Sequence, residues 1–280
     1  MWMLNEDLVS GGSDFLLSFA VGARDDFLRI GSDSPGPAGR DAFVKRENEA
    51  PALPGEGDTD YARYMRTEAL LDLQRRPGEM IHRDELLFQV THQSSELWLK
   101  LAAAELNEAI ARIDAGEAAS AELLLARATL AVRLITDQLD MLGHLRPTDF
   151  QAMQPALGNG SGAESPGWRR TQAAGRKLGR AFAAFLADRG VDLVTLYSRE
   201  PSDPVYRFAE AMVEFDDRIS SWRVRHYKLA IRVGSHGVIG TAGSPSGMLA
   251  KLIDYRFFPD LWRVRANLAL GSSAGESCLA

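Results

Sequence analysis

The stretch DPVYRFAEAMVEFDDRISSWRVRH, residues 203–226, decides the fold class. Asp203 is a natural N-cap. Pro204 suits the first helical position, where its fixed φ helps and its missing N–H costs nothing. After them Val205, Phe208, Met212, Phe215, Ile219, Trp222 and His226 alternate spacings of three and four, one continuous buried stripe on a long helix. The last member is an imidazole where the pattern calls for an apolar side chain. A buried imidazole needs a partner for at least one ring nitrogen, because an unpaired buried polar group costs roughly 1–3 kcal/mol. Taken alone, a core histidine bonded to a carbonyl is commoner than a metal ligand.

Working outward, Ala, Leu, Glu, Arg and Gln dominate from Tyr61 onward, with few β-branched clusters outside Val191 to Thr195 and the segment after Val233. The pattern predicts helices near 60–76, 82–114, 118–144, 167–188, 203–233 and 246–270, the last broken near Pro259, and hence an all-α fold. Residues 1–58 read as an arm with little core of its own, punctuated by Gly11-Gly12, Pro35-Gly36-Pro37 and Pro51 to Asp60, ahead of a helical domain over 59–280. In the second of these helices Phe88, His92 and Glu96 stand at i, i+4 and i+8 and share a face. Leu87, Val90, Leu97 and Leu101 mark a neighbouring core face. Read singly, Phe88 is core packing and Glu96 a partner for a nearby Lys or Arg.

Composition removes several classes. The chain has 280 residues, 45% of them hydrophobic and 25% charged, as in ordinary globular domains. With 32 Lys+Arg against 38 Asp+Glu the formal charge is −6, which argues against a phosphate-binding nucleic-acid protein. No apolar run reaches the roughly eighteen residues of a membrane helix. The apolar patch from Phe15 to Ala20 follows Glu6, Asp7 and Asp14 and makes a poor signal peptide, so a cytoplasmic protein is expected. The single cysteine, Cys278, cannot form an internal disulfide. Zinc-spaced cysteines, His-Glu-x-x-His, Cys-x-x-Cys-His and Gly-x-Ser-x-Gly are all missing from the sequence. Two glycine-rich segments, Gly158 to Gly162 and Gly240 to Gly247, carry small hydroxyl residues suited to a polar ligand, but neither has the form of a phosphate loop.

Four segments together resemble one family. HRDELLFQVTHQSSELWLK, residues 82–100, resembles the signature helix of tryptophan 2,3-dioxygenases. Tyr61-Ala62-Arg63-Tyr64-Met65 is similar to their Tyr-x-x-Tyr-Leu segment, Trp222-Arg223-Val224-Arg225-His226 to their Trp-Arg-x-x-His motif, and Gly240 to Gly247 to their Gly-Thr-Gly-Gly-Ser-Ser-Gly loop. The resemblance runs from about Tyr61 to the C-terminus in the right order. It implies an all-helical bundle enclosing non-covalent haem b, a homotetramer, and O2 as co-substrate. His226 would be the proximal iron ligand and His92 the distal residue that meets the indole N–H. Phe88 would pack on the substrate ring, Thr241 would meet the head group, and Tyr61 and Tyr64 would close the pocket, in this family often from a neighbouring subunit.

The departures bear on substrate. The family places an arginine in a Tyr-x-x-Phe-Arg pattern to clamp the substrate carboxylate. Here the matching run is Phe150-Gln151-Ala152-Met153-Gln154, so Phe150 replaces the tyrosine and Gln154 the arginine. Gln cannot form the bidentate charged pair, and leaving a buried charge unpaired costs roughly 2–5 kcal/mol. Ser161 to Trp168 also departs from the family's Ser-Gly-Phe-Gln-Ser; Arg169 or Arg170 could substitute for the clamp, although both begin a helix with a solvated face. The resemblance thus implies an oxygenase that inserts O2 across the indole 2,3-bond of L-tryptophan or a tryptophan or indole derivative, giving an N-formylkynurenine-type product. Behind it stand a haem-dependent monooxygenase of an indole or tyrosine derivative in secondary metabolism, and a non-catalytic haem-binding protein.

Overall fold

In the computed structural model residues 50–234 and 252–276 are described, side chains through 270, and every regular element among them is helical. The chain divides into two compact units, Met1–Leu71 and Asp72–Ala280. In the first, α1 (Asp60–Met65) and α2 (Thr67–Leu71) bury no residue. Thr59 caps α1 by accepting from the Ala62 N–H at 3.1 Å. Arg63 donates to Leu53 O at 2.6 Å and Gly57 O at 2.9 Å, which folds the Pro/Gly-rich segment back along the helix. The expected helix over 60–76 is shorter and broken. Arg66 takes the left-handed conformation, φ 53° and ψ 45°, and its N–H returns to Ala62 O to close α1.

The second unit is built from α3 (Glu85–Asp114), α4 (Ala118–Asp137), α5 (Leu139–Leu142), α6 (Pro147–Leu157), α7 (Pro166–Ala187), α8 (Leu193–Tyr197), α9 (Pro204–Gly234) and α10 (Pro259–Glu276). α3 lies against α4 and α7, and α9 against α4. Alanines at 102, 109, 121, 128, 174 and 209 line these contacts and let the backbones approach, while Leu106, Ile113, Leu125, Leu178, Phe208 and Phe215 fill the space between. On α9 the expected stripe is present: Phe208, Met212, Phe215 and Ile219 are at most 1% exposed, and Val205, Trp222 and His226 are half-buried.

Most of one expected face is wrong. On α3 Val90, Leu97 and Leu101 are exposed, as is Leu86, and only Leu87 of that face packs on a core; the buried residues are Glu85, Thr91, Leu99, Ala102, Ala103, Leu106, Ala109, Ile110 and Ile113. With leucines all around the helix, hydrophobicity alone does not single out a face. The small residues do, because α4 and α7 dock where alanine permits it.

Two short helices escaped the sequence pattern. α6 starts at Pro147, where a missing N–H costs nothing, and carries Pro155 near its C-terminal end, where the ring nitrogen forgoes the ladder bond to the Gln151 carbonyl. α8 covers a β-branched run and forms because Asp192 accepts from the Thr195 N–H at 2.7 Å. The segment before α10 is fastened to α9 by Asp216, which accepts from Phe257 N (2.8 Å), Phe258 N (3.0 Å) and Trp262 Nε1 (3.1 Å). Burial pushes the Asp216 carboxyl above its ordinary pKa, against the pull of those three donors.

Candidate functional site

α3 and α9 bring two imidazoles into electrostatic range of each other. His226 is half-buried near the end of the α9 stripe, with its ring parallel to Trp222, 5° between planes and 5.0 Å between centroids. Neither ring nitrogen has a hydrogen-bond partner among the described residues, and neither is sealed from solvent. Burial holds its pKa below the ordinary imidazole value, and His92 adds to the effect. A neutral imidazole with a free nitrogen and a ring plane fixed by stacking is the donor that a haem iron requires.

His92 presents the complementary arrangement. Its Nδ1 lies 2.7 Å from Phe88 O. A carbonyl only accepts, so Nδ1 carries the proton and Nε2 of the neutral ring keeps its lone pair as an acceptor. By surface area His92 is exposed, yet its pKa is lowered by desolvation, against the raising effects of Phe88 O and Glu96. The ring is crowded by neighbouring atoms while water still reaches it. Phe88 stacks on His92 at 4.1 Å, and Phe150 on α6 lies 6.2 Å from Phe88. Phe88, Phe150 and Trp222 pack with Leu87 and Leu229 on a small core of Leu139, Leu142, Leu145 and Val233. Aromatic and aliphatic groups with two neutral imidazoles suit a flat macrocycle and an aromatic substrate better than an ion.

Three of the four residues before His226 anchor the site from other directions. Arg223 is buried and donates to Tyr255 O at 2.7 Å, and Arg225 pairs with Asp140 of α5. Trp222 meets Trp168 of α7 at 4.7 Å. Trp168 in turn is placed by Glu96, whose partners are not the Lys or Arg expected from the sequence. The Glu96 carboxylate accepts from Gly167 N at 2.8 Å and from Ser165 Oγ, and Ser165 caps α7 through the Trp168 N–H at 3.0 Å. A negative group at a helix start is favoured by the unpaired amides there. The sequence held a signal for this, Ser165-Pro166 as N-cap and first helical residue, but nothing local shows that a carboxylate joins the cap from residue 96.

Of the other expected site residues, Gln154 lies on α6 one turn beyond Phe150, half-buried and without a hydrogen-bond partner among the described residues. Arg169 and Arg170 are exposed, and Arg169 donates to Ala163 O at 3.1 Å, so neither takes the clamp's place. Tyr61 and Tyr64 belong to the first unit, 68% and 78% exposed. Thr241 and the glycine-rich loop around it lie outside the described residues. A further cluster joins His82, Asp84 and Asp149, with donor atoms within 4.8 Å of one another. Arg146 already holds both Asp149 oxygens at 2.7 and 2.9 Å, and its guanidinium keeps that carboxyl below the usual range. This is an ion-pair knot fastening the start of α3 to α6, beside Phe150.

Comparison with known proteins agrees with the geometry. The sequence model of the tryptophan 2,3-dioxygenase family matches residues 46–181. The tryptophan 2,3-dioxygenase of Bacillus thuringiensis subsp. konkukian (strain 97-27) is 30% identical over 261 residues, covering 74% of this chain and 92% of that protein. Those of Polaromonas sp. (strain JS666 / ATCC BAA-500) and Xanthomonas oryzae pv. oryzae (strain PXO99A) are each 29% identical, covering 75% and 78% of this chain and 88% and 90% of theirs.

Proposed function

The chain belongs to the tryptophan 2,3-dioxygenase family, and from that premise we propose that it is a haem-dependent oxygenase that inserts O2 across the indole 2,3-bond of L-tryptophan or a tryptophan or indole derivative. The observation that carries the proposal is the pair of desolvated imidazoles in electrostatic range of each other, His226 with a free nitrogen and His92 with an accepting Nε2, beside the Phe88, Phe150 and Trp222 rings.

His226 would hold the haem iron through its free nitrogen, and Trp222, parallel to its ring, sets the plane of that imidazole. Bound haem supplies the dioxygen chemistry that no side chain provides. His92 accepts the indole N–H at Nε2, because Phe88 O holds the proton on Nδ1. That bond orients the 2,3-edge of the indole and gives His92 a place to hold a proton. Phe88 and Phe150 offer faces to the aromatic ring, excluding water from the reacting atoms. At the amino-acid end Gln154 replaces a guanidinium with a neutral amide, which favours a head group other than a free carboxylate. Thr241, and Tyr61 and Tyr64 from a neighbouring subunit, complete the proposed substrate shell.

The enzyme is proposed to act as a homotetramer. Support comes from Leu86, Val90, Leu97 and Leu101, which form one exposed apolar stripe on α3 of the kind that a second copy buries. No described helix is long and apolar enough to cross a membrane; a cytoplasmic enzyme is the reading we adopt.

Aerobic turnover of the reduced, haem-loaded protein with L-tryptophan and a panel of indole and tyrosine derivatives, read by mass spectrometry, tests the proposal. A product heavier by two oxygen atoms is expected. A product heavier by one moves the protein to the monooxygenase class, and none at all with a normal haem spectrum removes the catalytic reading.

A further inference from the structure

Remote from the two imidazoles, the C-terminal half of α7, the start of α8 and the first turn of α10 line a cavity of about 510 Å³ that is open to solvent on one side. That volume lies in the range of small-ligand sites. Its floor is apolar, made by Phe182, Leu186, Met212, Phe257, Phe258 and Leu261. Met212 stands fourteen residues before His226 on α9, about 21 Å along the helix at 1.5 Å per residue. The cavity is therefore separate from the proposed haem site.

The charge at the mouth is unbalanced in a useful way. Arg176 and Arg180, one turn apart on α7, both line the cavity and are exposed. Neither has a hydrogen-bond or ion-pair partner among the described residues. The two carboxylates beside them are engaged elsewhere. Asp192 caps α8 by accepting from Thr195 N at 2.7 Å and Oγ1 at 3.0 Å, and Asp260 pairs with Arg263. The uncommitted charge is positive. A bare inorganic anion would leave the apolar floor unused, and a neutral hydrocarbon would leave the guanidinium pair unused. A flat apolar body ending in one carboxylate uses both, since guanidinium matches carboxylate in shape and charge.

We propose that this cavity is a second small-molecule site, which binds an aromatic monocarboxylate. Its floor includes the Phe257–Phe258 segment that Asp216 ties to α9, and Met212 of α9 itself, so a ligand there would rest on the same helix that carries His226.

The test is isothermal titration of the full-length, haem-loaded protein with 2-naphthoate, and with 2-naphthalenemethanol as its uncharged counterpart. Saturable binding of one naphthoate per chain is expected, and at least tenfold weaker binding of the alcohol. The double variant R176Q/R180Q alters only exposed side chains. Ala183→Trp fills the cavity from an exposed position on α7. Each should weaken naphthoate binding at least tenfold while the far-UV melting curve stays in place, and His92→Ala should leave it unchanged. No saturable binding to the parent protein below about 1 mM overturns the proposal. So does binding that survives either cavity variant, or binding that His92→Ala removes.

Discussion

Gly167 is the position where one added methyl tests most of the reasoning. In α7 it sits so close to α3 that a Cβ would stand 2.6 Å from Glu96 Oε2 and 2.8 Å from Leu99 Cβ. The carboxylate could swing away, but Leu99 Cβ is fixed to its backbone, so Gly167→Ala forces the helices apart. Two costs follow. The bond from Gly167 N–H to Glu96, 2.8 Å long, is lost or stretched; hydrogen bonds to charged groups contribute about 1.5–3 kcal/mol. Overpacking adds roughly 1–3 kcal/mol. Alanine's better helix propensity returns at most about 1 kcal/mol. Because Glu96 is only half-buried, the lower ends apply, and the expected net destabilisation is about 1.5–2.5 kcal/mol. For a chain of this size that lowers Tm by roughly 3–10 °C. Guanidinium unfolding followed by far-UV circular dichroism measures the loss. Near-UV dichroism should show the Trp168–Trp222 pair, 4.7 Å apart, loosening in the same variant. Gly162→Ala, with nothing within 4 Å of its Cβ position, serves as the control and should change little. A Gly167→Ala protein as stable as the parent, with an unchanged tryptophan signal, would refute the role given to Glu96.

His226→Ala is expected to abolish haem incorporation, read from the Soret band of the purified protein; a variant that purifies with full haem removes the proximal role. Gln154→Arg should tighten binding of free L-tryptophan by tenfold or more, in the range of a restored carboxylate pair, and unchanged affinity would place the head group elsewhere. Burial lowers the folded-state pKa of His226 and His92 below the 6.5 of an ordinary imidazole. The unfolded chain therefore binds more protons than the folded one as pH falls through that value, and folding stability should decline below about pH 6.5. Urea midpoints at pH 7.5 and 5.5 should differ less in His226→Gln than in the parent; an equal difference in both contradicts the assignment. The double variant Leu97→Glu/Leu101→Glu, altering side chains that are 51% and 40% exposed, should break assembly without unfolding the chain. Sedimentation velocity showing an unaltered oligomer would mean that this stripe is not an interface.

The α9 helix was readable from its sequence because every device agreed: an N-cap, a proline at the first position and a seven-member stripe. α3 was readable as a helix but not in its orientation, since leucine occurs on all sides and only the packing of α4 and α7 against alanines selects the buried face. α6 and α8 were missed because their local composition, a proline in one and β-branched residues in the other, speaks against helix until the caps and neighbours are known. At the site, His92, Phe88 and His226 could be named from motifs. The aromatic column Trp168–Trp222–His226 and the clamp of Glu96 on Gly167 could not, because they join residues about seventy positions apart in sequence for the carboxylate and depend on how two helices cross.

The Glu96 clamp also bears on how the protein is made. One carboxylate on α3 fixes the start of α7, and through Trp168 and Trp222 the attitude of His226, using only bonds within the chain. The bonds described around the imidazoles are made within the chain. On the proposed haem-binding role of His226, haem supply and folding would then be separable events during biosynthesis. Cells starved of iron should accumulate a folded apo-protein, and adding hemin after lysis should load it without a denaturation step.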